Sequence, residues 1–172
     1  ARRRTKLRRP YIGAREARMT SDIEIRRFAG PADLARIERL VSAVVQECYG
    51  HLLQEDYRFD AGENWPGSWL AEAGGDLVGV LLTGRDWLDD LWIAPTHRRQ
   101  GLGARLLAVA EGEISGRGHA CGRLRVVAGN LFARQFYASH GWREDGRYPH
   151  ETHGFEMVEM TKALGQGVDP KR

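Results

Sequence analysis

A chain of 172 residues is long enough to bury one domain core and too short for two of ordinary size. Its 42% hydrophobic and 28% charged residues are ordinary for a globular protein, and no apolar run approaches the roughly 18 residues of a membrane span, so no membrane role is expected. The net charge of +3 hides an asymmetry: residues 1–19 hold eight basic residues against Glu16 alone, a local +7, which leaves −4 on residues 20–172.

The expected organisation is a basic arm (1–19), a folded domain (20–164) and a short tail (165–172). The arm lacks the apolar stretch of a secretory signal, although its Arg-rich, acid-poor character overlaps that of a transit peptide. Met19-Thr20-Ser21 reads like a natural start before the first strand, which makes the arm a solvated tail or upstream sequence. Binding of nucleic acid or an anionic surface is the rival reading, with Tyr11 as its single stacking aromatic.

In chain order, residues 23–28 alternate and read as a strand stopped by Gly30-Pro31. From Asp33, the spacing of Leu34, Ile37, Val41, Val44 and Val45 predicts an amphipathic helix ending near Gly50. Residues 51–66 are irregular and acidic, and read as a short helix and a loop. Strands over 68–73 and 77–83 flank Gly74-Gly75-Asp76, a hairpin signal. Residues 87–93 form the next strand, stopped by Pro95, and a helix starting near Leu102 ends at Gly116 or Gly118. A strand over 124–127, a helix over 131–139 and strands over 142–147 and 155–161 complete the domain. This order predicts an α/β (α+β) fold, a mixed and mostly antiparallel sheet of about 6–7 strands with helices on both faces. Cys48 and Cys121 fall in apolar-periodic segments and are expected as two buried free thiols, in keeping with a reducing cytoplasm.

The most informative segment is Arg98-Arg99-Gln100-Gly101-Leu102-Gly103-Ala104, which joins the strand 87–93 to the helix after it. A glycine-bearing turn into a helix N-terminus leaves several backbone N–H groups aimed one way beside the positive end of the helix dipole, a cradle for a pyrophosphate. Gly101 and Gly103 are expected to let the main chain approach the anion, with Arg98 and Arg99 adding charge. A dinucleotide fingerprint would need glycine where Leu106 stands, and a triphosphatase loop would need a Gly-Lys pair that the chain lacks.

What remains resembles the coenzyme A loop of the GNAT N-acetyltransferases. The resemblance continues downstream through residues 124–127, Asn130, Phe136-Tyr137 and Gly141-Trp142, and covers roughly residues 76 to 162. It implies the GNAT fold, acetyl-coenzyme A as co-substrate without a metal, and direct acetyl transfer to an amine, a small molecule before a protein. It further implies pairing of pantetheine with the backbone of Leu91, Trp92 and Ile93, and a hydrogen bond from Asn130 to the same arm, although Asn130 can also cap the helix that follows.

The chemistry needs a proton acceptor, because an alkyl amine of pKa near 10.4 is neutral only about once in 10³ molecules at pH 7. Asp89 is favoured over Asp90 for that role, and strand alternation places Asp89 with Leu91 and Ile93. Tyr137 matches the family tyrosine beside the coenzyme sulfur, where a phenol can protonate the departing thiolate. Residues 47–63 carry five acidic residues against Arg58, which suits a cationic acceptor. His150 and His153 lack a third ligand nearby and are read as a solvated loop. Two rivals stay open, a non-catalytic binder of coenzyme A or acyl-coenzyme A and a nucleic-acid-associated factor working through the arm. A homodimer also stays open.

Overall fold

The computed structural model describes residues 22–53, 64–151 and 154–165. The basic arm, most of the acidic stretch after Glu47, His153 and all but the start of the tail lie outside the described residues, and the readings made on them with them. The elements are β1 (Ile23–Arg27), α1 (Pro31–Tyr49), β2 (Trp69–Ala73), β3 (Asp76–Gly84), β4 (Trp87–Ile93), α2 (Leu102–Gly116), β5 (Cys121–Val127), α3 (Leu131–Ser139), β6 (Arg143–Pro149) and β7 (Glu156–Ala163). No described helix is long and apolar enough to cross a membrane.

The helix expected from Asp33 begins two residues earlier, because Pro31 occupies its first turn, where proline loses no helical hydrogen bond. Asp33 instead reaches back: its carboxylate accepts the Ala29 N–H at 2.9 Å and both terminal nitrogens of Arg26 at 2.7 Å. Glu72 of β2 joins through Arg26 and Arg36, so an ion-pair network ties β1, α1 and β2 together. Gly74 and Gly75 both take positive φ, 59° and 88°, the twist that a tight hairpin between β2 and β3 demands.

The seven strands lie in the order β1-β2-β3-β4-β5-β7-β6. Every neighbouring pair is antiparallel except β4 and β5, which run parallel. The sheet separates two cores. On one face Leu102, Leu106, Leu107 and Ala110 of α2 pack with Leu81, Leu88, Leu124, Val126, Val158 and Met160. On the other, Ile37, Val41, Val44 and Val45 of α1 pack with Leu70, Val80 and Leu82. The apolar stripe of each helix is thus explained by the strand residues it covers.

Three expectations are corrected. The thiols are free but not buried: Cys121 is exposed at the start of β5 and Cys48 is half-buried. Trp142 precedes β6 rather than starting it, and fills the core against Gly122, where a Cβ would stand 3.0 Å from its ring. Plain alternation along β4 also fails. Leu82 pairs with Asp90 and Thr83 with Leu88, which leaves Asp89 as the extra residue of a β-bulge.

Candidate active site

The parallel pair β4–β5 is registered only at Trp87 with Arg123 and Leu88 with Leu124. Beyond these two positions the strands part, and the gap opens toward the C-terminal end of β4. Ala94 N–H donates to Val78 O at 2.9 Å, and bonded pairs alternate along an antiparallel ladder. Trp92 therefore turns its backbone toward β3, whereas Leu91 and Ile93 turn theirs to the open edge. The Ile93 carbonyl there accepts Arg98 Nε–H at 3.1 Å.

The gap leads to the loop before α2. Arg99 and Gly101 take left-handed φ of 61° and 82°, and among the described residues the backbone N–H groups of residues 99–104 donate to no partner. No side chain caps the helix. A row of free donors at a helix N-terminus suits an anion. Other loop side chains do different work. Arg98 holds both carboxylate oxygens of Glu47, at 3.0 and 2.7 Å, and straps the end of α1 to β4. Gln100 donates to Thr96 O at 2.9 Å, and Leu102 is buried in the core. Gly103 makes room for its neighbours: a Cβ on it would stand 3.2 Å from the Phe136 ring and 3.3 Å from Ile93 Cδ1.

Between the strands and α3 lies a cavity of about 1230 Å³ lined by Tyr49, Asp89, Asp90, Trp92, Asn130 and Tyr137 among others. The bulge decides how the two aspartates face. A Cβ on Gly84 would meet Asp89 Oδ2 at 2.8 Å, whereas the neighbouring Thr83 points to α2, donating to Glu113 at 2.9 Å. Asp89 is thus on the α1 side of the sheet with Asp90, and Leu88, Leu91 and Ile93 pack on the α2 side. Asp89 keeps contact with solvent, and partial desolvation, then repulsion by Asp90, pushes its carboxyl up to about 6 despite the nearby Arg125 and Arg117. Burial also raises Asp90, whose Oδ1 accepts Trp92 Nε1–H at 2.7 Å.

Tyr137 sits on the α3 wall, 8% exposed, with its ring edge-on to Phe136 and Trp142 at 5.2 and 6.1 Å. Its hydroxyl has no hydrogen-bond partner among the described residues, and burial pushes its pKa well above the usual phenol value. Asn130 caps α3 by accepting Ala133 N–H at 3.0 Å and donates from Nδ2 to Tyr49 Oη at 2.6 Å. Tyr49, which meets Trp92 edge-on at 6.3 Å, has no local sequence signal as a site residue; it arrives with the C-terminal turn of α1. No set of three potential metal ligands occurs among the described residues.

The sequence profile of the acetyltransferase (GNAT) domain matches residues 38–164, about three quarters of the chain. The chain belongs to the GNAT acetyltransferase family. A 63-residue segment is 35% identical to the uncharacterized N-acetyltransferase YhfO of Bacillus subtilis, covering 37% of this GNAT chain and 42% of that protein, less than half of its length. The ribosomal-protein-S18-alanine N-acetyltransferase of Escherichia coli superposes with a TM-score of 0.63 at 19% identity, over 87% of this chain and 99% of that one. The PaiA N-acetyltransferase of Thermoplasma acidophilum, solved in complex with coenzyme A, gives 0.68 at 19% identity, over 82% and 98%. At these identities the structures share the fold of this GNAT domain.

Proposed function

We propose that this GNAT domain transfers the acetyl group of acetyl-coenzyme A directly to the amine of a small molecule. The observation that carries the reading is the parting of β4 from β5 after Leu88, which joins the free amides of residues 99–104 to a cavity holding Asp89 and Tyr137. The fit to the co-substrate is chemical. Free N–H groups at a helix N-terminus suit its pyrophosphate, and the edge groups of Leu91 and Ile93 suit the amides of its pantetheine arm.

The co-substrate supplies an activated thioester, and the protein supplies positions and protons. Asp89, raised to about 6, is ionised at pH 7 and basic enough to take the proton that the amine must lose. Tyr137 keeps its proton throughout the neutral range and can hand it to sulfur as the carbon–sulfur bond breaks. Both groups then recover their starting state by exchange with water. An open-edge N–H of β4 can stabilise charge on the carbonyl oxygen. Asn130 spends one N–H on Tyr49 and one lone pair on α3, which leaves its second N–H for the pantetheine arm. Two free cysteines, one of them exposed, suit a reducing compartment such as the cytoplasm.

Thiol release from acetyl-coenzyme A, measured across alkyl amines, aminoglycosides, amino acids and peptides, tests the reading. Amine-dependent release with a small molecule is expected. Tight binding of acetyl-coenzyme A with no release on any acceptor would make the protein a binder, and release with peptides alone would overturn the small-molecule assignment.

A further inference from the structure

The carboxylates around the cavity differ in what neutralises them. Glu47 is held by Arg98, and Asp89 lies in the field of Arg125 and Arg117. Glu151 is exposed at the rim. Asp90 has no cation: among the described residues its one hydrogen-bond donor is the neutral indole of Trp92 at 2.7 Å. A carboxylate withdrawn from water without a counter-charge is costly, and a fold keeps one where a ligand brings the charge.

The surroundings of Asp90 suit an ammonium group. Trp92 and Tyr49 meet at an interplanar angle of 82° beside it, and the Asn130 hydrogen bond fixes Tyr49 in place. Trp92 meets Asp90 through its in-plane indole N–H, at the ring edge, so the carboxylate rather than a ring face is what draws an ammonium group here. The bulge sets Asp89 and Asp90 in succession on one side of the sheet, so two nitrogens of one molecule can be served at once. A reacting amine must shed its proton, which Asp89 takes, whereas a nitrogen that stays charged needs a lasting counter-ion.

We infer that Asp90 is a specificity-determining residue that receives a second, non-reacting ammonium group of the acceptor, so that the acceptor is an alkyl diamine or longer polyamine. The inference rests on the acetyl-transfer reading above.

Calorimetric titration of coenzyme A into the protein, followed by 1,4-diaminobutane or butylamine into the saturated complex, tests it. The wild-type complex is expected to bind the diamine at least about tenfold more tightly than the monoamine. Asp90→Asn keeps an oxygen for the Trp92 indole and is expected to erase that preference with coenzyme A affinity unchanged, and Asp90→Glu is expected to keep part of it. Equal affinity of the wild-type complex for both amines, which needs no variant to fold, would overturn the inference, as would a preference that survives in Asp90→Asn. Failure of coenzyme A to bind would overturn the acetyl-transfer reading and this inference together, whereas binding without a diamine preference would remove only the inference.

Discussion

Tyr137→Phe separates packing from chemistry. The ring lies between Phe136 and Trp142 and is retained by the substitution, so the van der Waals contacts stay. The hydroxyl hydrogen-bonds to no described residue, so removing it orphans no partner, and the folding free energy is expected to change by less than about 0.5 kcal/mol. The proton it carries is a different matter. A positioned general acid contributes about 10²-fold or more, and a 10²-fold loss corresponds to about 2.7 kcal/mol of barrier. The single-turnover rate with the best amine should fall by about that factor, while the Michaelis constant for acetyl-coenzyme A moves much less, because the hydrogen bond matters mainly as charge develops on sulfur. Single-turnover measurement is required, since slow product release would mask the change. A wild-type single-turnover rate in the folded variant would make Tyr137 a packing residue and leave water as the proton donor.

The raised Asp89 carboxyl predicts a pH dependence with a definite sign. Its ionised form is the acceptor of the amine proton, so kcat/KM should rise with pH through a limb near 6, and Asp89→Asn should remove that limb; an unchanged profile in the variant assigns the limb elsewhere. Gly103→Val would place carbon atoms within 3.3 Å of Phe136 and Ile93, and displacing them should weaken acetyl-coenzyme A binding by about tenfold or more, about 1.4 kcal/mol. Unaltered calorimetric affinity in the folded variant would detach Gly103 from the site. Asp33→Asn should destabilise the fold by about 2–3 kcal/mol, because Asp33 is buried and charge-paired to Arg26. Hydrogen bonds from Arg26 hold its carboxyl far below the usual range, so its contribution is complete above the unfolded pKa near 4 and fades as pH falls below that. Denaturant melts between pH 6 and 3 should thus show a shallower loss of stability in the variant than in the wild type, and equal slopes would count against the pairing.

The elements themselves were legible in the amino-acid order because each rests on local chemistry. The stripe from Ile37 to Val45 marks α1, the Gly74-Gly75 pair marks a hairpin that only positive φ can close, and Asn130 marks the start of α3. The free amides of residues 99–104 were legible for the same reason, since they follow from a helix starting at Leu102 after a glycine turn. Position across the sheet was not. That β7 lies between β5 and β6, and that β4 leaves β5 after Leu88, depends on which hydrogen bonds distant segments make, and no periodicity encodes it. The bulge at Asp89 is the clearest case. A strict period of two puts Asp89 with Leu91 and Ile93, and the extra residue opposite Leu82 and Thr83 swings it to the side of Asp90. Tyr49 and Arg98 illustrate the same limit. The end of α1 reaches the cavity only because that helix packs across β3 and β4, and Arg98 pairs with Glu47 because the fold brings the two together, 51 residues apart in the chain. Local conformation is set by near neighbours in sequence, whereas which charges meet in a cavity is set by the packing of the whole sheet.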